Sequence, residues 1–312
     1  MVNVKEIASF KDYGKCVEIS NGEITALVTV EIGPRIISFG YAGSQNFMNA
    51  NREALGGLPM DKPYTDFFGE GRRWENLGGH RIWLSPESYP ETYTPDDKPC
   101  SYKVTENGAI FTYAKDSEIG VAKTMEIKMD ADDTNMQVVM SVENITDKPM
   151  DFAVWALSVC NAGGSLILPM NTVDTGLLPN RKVAVWPYTD MSSELIYWGK
   201  KYITVTQRPC DKEYKHKIGV DLNCGMAFYV LGDEVLCKRF DTNHPDGNYP
   251  DGGCSFETYV CDQMLEFETL GELKTVAPGE KNVHIEHWSL CKKPCEIDFK
   301  SDESIDNFLN KI

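Results

Sequence analysis

The chain has 312 residues, 42% of them hydrophobic, and a formal net charge of −16, with a pI near 4.8. That length suits one large all-β domain or two smaller ones and supplies ample apolar material for a core. The acidic balance excludes a surface that neutralises a phosphate backbone, and so nucleic acid as a partner, while neutral and cationic partners stay open.

The N-terminal MVNVKEIASFKDYG has no basic segment followed by an apolar core, and no apolar run reaches membrane-spanning length. A cytoplasmic protein without a membrane partner is the expectation. Cys16, Cys100, Cys160, Cys210, Cys224, Cys237, Cys254, Cys261, Cys291 and Cys295 are scattered through the chain without a CxxC pair. CKKPC lacks a further His or Cys at zinc-ligand spacing, so the cysteines read as reduced, mostly buried and structural.

From Cys16 onward apolar and polar residues alternate, as at Ile24, Ala26, Val28, Val30 and Ile32, and Asn21-Gly22 marks a hairpin turn. Residues 43–79 carry Gly, Pro and charge without a period and read as an irregular, lid-like loop. Strand signals resume with SYKVTENGAIFTYA around Asn107-Gly108 and continue through VAKTMEIKMD, MQVVMSVEN, FAVWALSV, VAVWPY, LIYWG and YITVTQ. A strand pair hinged at Gly232-Asp233 comes next. Only the last element reads as a helix, capped by Ser301 or Asp302, with Ile305, Phe308, Leu309 and Ile312 as its apolar stripe. There is no repeat and no composition break. The expectation is all-β: a single domain over 1–312, built as a large antiparallel two-sheet sandwich with a short C-terminal helix.

Several stretches could carry chemistry. In GGCSFETYVCDQMLEFETLGEL, Glu266 and Glu268 stand two apart in a strand and share one face, which raises the cost of ionising both. Solvation on a wet face explains them equally well. In GGHRIWLSPE, strand alternation sets His80 with Ile82 and Leu84, and Arg81 with Trp83 and Ser85 on the other side. His80, Arg81, Trp83 and Glu87 therefore line one cleft only if the backbone turns at Pro86. The glycines ahead of them permit close approach of a ligand or another backbone.

The turn-rich KRFDTNHPDGNYPDGG lacks the acidic spacing and closing Glu of a calcium loop. Its mixture of aromatic, amide and carboxylate groups suits a sugar pocket, with Trp83, Trp155 and Tyr249 as stacking platforms. VHIEHWSL places His284, Glu286 and Trp288 on one strand face and reads as structural, since HExxH needs helical spacing. No GxSxG, P-loop or GxGxxG motif is present, and no metal or cofactor is called for.

The segments GPRIISFGY, NLGGHRIWLSPE, VENITDKPMDFAVWALSV with NAGG, KIGV, KRF, YPDGGCSFETYVCDQMLEFETLGEL and VAPGEKNVHIEHWSL together resemble the galactose mutarotase-like (aldose 1-epimerase-like) β-supersandwich superfamily. Within it they resemble a bacterial branch distant from the characterised mutarotases. The resemblance implies a small-molecule sugar as ligand and a Glu on a late strand as general base. Glu268 in FET is the matching residue and Glu266 the second choice. It also implies sugar-holding roles for Arg35 in GPRI and His80 in GGHR.

One departure stands out. Where those mutarotases carry a general-acid His, this chain reads FAVWALSV, with Trp155 near the position. Without that acid, much of the usual contribution of general acid catalysis, roughly 10²–10⁴-fold, could be lost. Lys217, Lys238 and Arg239 could compensate electrostatically or bind a carboxylate or phosphate on the sugar. The expected activity is aldose-epimerase-like isomerisation. The alternatives are a carbohydrate-binding protein on the same scaffold, or a lyase or glycosidase in which Glu87 or Glu257 serves as the second carboxylate.

Overall fold

A computed structural model of the chain describes every residue except Pro59 and Asp211. Among the described residues it has two antiparallel sheets, of 11 and 10 strands, and three α-helices. The first sheet follows the chain through its N-terminal hairpins to Ile36–Tyr41. It then runs Gly79–Ser85, Met150–Cys160, Leu265–Leu270, Phe256–Cys261, Lys215–Val220 and the short edge strand Val183–Val185. The second sheet is centred on Glu234–Phe240, Lys281–Lys292 and Asn135–Asn144.

The two sheets differ in how many of their faces are covered. Val121–Met129 and Asn135–Asn144 alternate strictly between buried and partly exposed positions, the pattern of a sheet with one face on the core and one toward water. Met150–Cys160 is buried from Phe152 to its end, and every residue of Leu265–Leu270 is buried. Those central strands of the first sheet are therefore packed on both faces. One face meets the second sheet in the main apolar core, where Phe39 sets its ring 5.1 Å from Trp288. The other face is roofed by residues 43–79 and neighbouring loops.

The roof corrects part of the sequence reading. Residues 43–79 hold two short helices, Arg52–Leu55 and Lys62–Phe68, capped by the side chains of Asn51 and Asp61. Their apolar residues are too few and too short in span to show a helical period. At the end of the segment Gly78 and Gly79 take positive φ, and a Cβ on Gly78 would lie 2.1 Å from the Asn49 carbonyl oxygen. The glycines thus admit a neighbouring backbone. The C-terminal helix Asp302–Leu309 forms as expected, with Ser301 accepting from the Ser304 amide at 3.2 Å and Ile305 and Phe308 buried. Ile312 falls outside it and is exposed. The cysteines are all free; Cys210 and Cys224 are exposed, and only Cys16, Cys160, Cys237 and Cys254 are fully buried. No helix among the described residues is long and apolar enough to cross a membrane.

Between the sheets lies a charged cluster inside the apolar core. Lys238 Nζ donates to Ser158 Oγ at 2.7 Å and to Glu286 Oε1 at 3.2 Å. His80 Nδ1 meets the same serine at 2.8 Å. Glu286 also accepts from Thr269 at 2.6 Å and from the Trp288 indole at 2.6 Å, and His284 reaches Thr269 at 2.7 Å. Burial acts to raise the Glu286 carboxyl, but the Lys238 ammonium, helped by the Thr269 hydrogen bond, outweighs it, and the carboxyl is brought down to about 2. Burial pushes His80 down to about 3 and His284 to about 4, so both imidazoles are neutral. A buried pair broken on one side leaves an uncompensated charge, so Glu286→Gln is expected to cost about 3–5 kcal/mol of stability in urea unfolding. All three groups release protons on folding. Stability is therefore full above the ordinary histidine value near 6.5 and falls as the pH drops through 6.5 toward 2. Urea midpoints measured across that window should decline continuously on acidification, and a flat profile would contradict this network.

Candidate functional site

The covered outer face of the first sheet contains a cleft of about 310 Å³, within the range of small-ligand sites. Strand pairing assembles its floor. Leu157 stands opposite Arg81 on one side and Glu268 on the other; Glu268 in turn faces Glu257, and Lys217 faces Tyr259. Because alternate residues of a strand share a face, Arg81, Trp83, Trp155, Glu266, Glu268, Glu257 and Lys217 all project to this outer side. Beyond Ser85 the chain turns at Pro86 and returns Glu87 Oε2 to 4.0 Å from Lys217 Nζ. The turn that the sequence reading required for Glu87 is present.

Lys217 is the electrostatic centre. Its ammonium lies 2.9 Å from Glu257 and 3.7 Å from Glu268, and 4.6 and 4.7 Å from the ring centroids of Trp155 and Trp186. Burial alone would lower the Lys217 pKa, but Glu268 and Glu257 reverse that and raise it above its ordinary value. Trp155 donates its indole N–H to Glu268 Oε2 at 2.8 Å. Glu268 is fully buried, as is Glu257, and Oε1 of each has no protein partner. Burial raises Glu257 to about 8, with Lys217 opposing and Glu268 reinforcing the shift.

Glu266 stands apart because it lines the cleft while remaining only 9% exposed. Burial, reinforced by Glu268, pushes it up to about 7 against the pull of Arg81. Arg81 NH2 sits 3.5 Å from Glu266, and its guanidinium stacks 4.1 Å from the Trp83 ring centroid. Burial also lowers Arg81, to about 10, so it stays a cation. Its Nε and NH1, and the indole N–H groups of Trp83 and Trp74, have no protein partner. Donors and acceptors without partners on one apolar-walled cleft are what a polyhydroxylated ligand would satisfy.

Five expected site residues lie elsewhere. His80 projects from the inner face of the first sheet and Lys238 from the inner face of the second, and both are fully buried in the charged core cluster. Arg35 is 1% exposed, bonded to the Gly78 carbonyl at 3.0 Å and to Asp96 at 2.7 Å, and so anchors a loop. Arg239 is on neither the cleft nor the core cluster; its side chain is exposed on the outer face of the second sheet. Tyr249 is buried, its hydroxyl accepting from the Asn243 amide at 2.9 Å within its own loop. Tyr93, Tyr188, Tyr259, Trp74 and Trp186 were not anticipated. Tyr259 alone carried a signal, standing two residues after Glu257 on the same strand face. Trp74, Tyr93 and Tyr188 reach the cleft, and Trp186 reaches Lys217, from loops, where strand alternation says nothing.

No protein-family model and no curated protein matches the sequence. Solved structures do match the fold, among them proteins described as aldose 1-epimerases and as galactose mutarotase-like. A candidate aldose 1-epimerase from Klebsiella pneumoniae subsp. pneumoniae MGH 78578 superposes with a TM-score of 0.58 at 12% identity, covering 99% of this chain and 86% of that one. A galactose mutarotase-like protein from Lactobacillus casei ATCC 334 gives 0.53 at 13%, covering 88% and 100%. A TPR-domain containing protein from Parabacteroides distasonis ATCC 8503 gives 0.59 at 13%, covering 90% of this chain and 48% of that one, so this chain spans about half of that protein's length.

Replacing Lys217 by Met removes the cation that two buried carboxylates share. Leaving them uncompensated is expected to cost about 3–5 kcal/mol at pH 8. Much of that loss should be recovered near pH 5, where the carboxyls protonate. Thermal unfolding of the variant at the two pH values checks this, and an equal loss at both would place the role of Lys217 in packing alone.

Proposed function

We propose that this chain is a carbohydrate-active protein of the aldose-epimerase type, with Glu266 as the group that exchanges protons with the sugar. The observation that carries this reading is that Glu266 is desolvated, raised to about 7 and yet open to the cleft. A general base is most useful with a pKa near the working pH. Glu268, which the resemblance favours for that role, lies beneath the floor, where it holds Trp155 and Lys217 in place.

In this scheme the aromatic walls take the C–H faces of a pyranose, and Arg81 and the indole N–H groups bind its hydroxyls. Ionised Glu266 accepts the proton of the anomeric hydroxyl as the C1–O5 bond breaks, giving the open-chain aldehyde. Arg81 and Lys217 supply positive charge where O5 becomes negative, and the Glu266 carboxyl passes the proton it has accepted to O5, which shares C1 with the anomeric oxygen. Rotation about C1–C2 and reversal of these steps returns the other anomer. No cofactor enters the scheme.

Charge favours a neutral sugar over an acidic or phosphorylated one. With Glu257 protonated and Glu266 ionised in its role as base, the cations Arg81 and Lys217 stand among three carboxylates, Glu87, Glu266 and Glu268. An added anion would meet net negative charge.

Anomer exchange of neutral aldoses, followed by NMR, tests the proposal. Glu266→Gln should slow exchange by about 10²–10⁴-fold. Since Glu266 acts as a base once ionised, the wild-type rate should rise with pH through about 7 and then level off. If no aldose exchanges faster with the protein than without it, yet sugars shift its tryptophan fluorescence, the chain is a sugar-binding protein instead. Net product from a glycoside would point to hydrolysis or elimination.

A further inference from the structure

A second cavity, of about 380 Å³, opens where the Gly79–Ser85 and Met150–Cys160 strands begin and end beside the Lys62–Phe68 helix. Trp83 forms a wall of both this cavity and the sugar cleft, and separates the two. Apart from Trp83 its walls are mainly apolar, from Phe67, Leu84, Ile119, Met150 and Phe152. Ser85, Ser88, Thr92 and Thr94 add hydroxyls to this lining, and its apolar part suits a ring-bearing body.

Two further observations specify the ligand. Thr94 lines the slot, is only 3% exposed, and its hydroxyl has no protein partner. A buried hydroxyl without a partner is costly, and a ligand group in the slot would supply the missing bond. The charged groups lining the slot are Glu91, Glu118 and Asp151 against one cation, Lys123. Lys123 is already paired with Asp116 at 2.8 Å, with Asp96 at 4.0 Å beyond it. Lys98 approaches Glu118 only to 3.9 Å, with both side chains part-exposed, and the Asp151 carboxylate accepts from Thr275. The slot therefore combines apolar walls with a net negative rim, a field that attracts cations and repels anions.

We infer that this slot is a binding site for a small organic amine, an aromatic or aliphatic ring carrying a protonated amino group, seated against the apolar lining with its ammonium toward the rim carboxylates. The site is distinct from the sugar cleft, and its existence does not depend on the reaction proposed there.

Isothermal titration of the full chain with three probes of one shape and different charge tests it: 2-phenylethylamine, 2-phenylethanol and 3-phenylpropionate. The amine should bind best, about tenfold or more tighter than the carboxylate. Glu91→Gln combined with Glu118→Gln, both at the rim, should shrink that ratio at least about threefold while leaving 2-phenylethanol unchanged. Ile119→Trp, which fills the slot, should abolish amine binding. Should that variant fail to fold, the rim pair still decides the charge preference. Three results overturn the inference: no saturable binding of the amine at millimolar concentration, preference for 3-phenylpropionate or 2-phenylethanol, or amine affinity unchanged in a folded Ile119→Trp.

Discussion

Neighbouring side chains of a β-strand leave on opposite faces, and in this protein that parity separates two charged systems across a single sheet. Along Gly79–Ser85, His80 goes inward and Arg81 outward; along Leu265–Leu270, Thr269 goes inward and Glu266 and Glu268 outward. The inner set closes on itself around Lys238 and Glu286. The outer set faces a cleft and keeps unpartnered donors and acceptors. A register slip of one residue would put Arg81 into the core on the first strand, or Glu266 and Glu268 on the second. The packing of both faces of these strands makes that slip prohibitive.

The outer set is arranged around Lys217. One ammonium shared by Glu257, Glu268 and the more distant Glu87 is short of the charge needed to neutralise them all. The system relieves the imbalance through protonation, so Glu257 and Glu266 are raised while Lys217 stays charged. Carboxyls with pKa values near neutrality can hold or release a proton without large energetic cost. Trp155 donates to Glu268 and stacks beside Lys217.

The interior cluster does a different job. His80, Lys238, Glu286, His284, Ser158 and Thr269 satisfy one another, and this exacting geometry holds only when the two sheets are in one relative position. It accounts for the GGHR and VHIEHWSL stretches without any contact to a ligand. The family resemblance of His80 is therefore a resemblance of position in the chain, and Arg81, one residue further, is the side chain that reaches the cleft.

The all-β architecture, the antiparallel pairing, the C-terminal helix and the split of His80 from Arg81 were legible in the chain, because they follow from the period-2 pattern and local capping chemistry. The placement of Glu266 and Glu268 on one strand face was legible for the same reason. Which face of the first sheet is roofed was not, since the roof comes from residues 43–79, whose short helices show no period. Nor could the sequence separate Glu266 from Glu268: both share a strand face, and only the packing of Trp155 and Lys217 over Glu268 leaves Glu266 open. Arg35 and Lys238 could equally have been ligand-binding cations by composition. Their partners, Asp96 and Glu286, lie 61 and 48 residues away in the chain, and such long-range pairings are decided by tertiary structure alone.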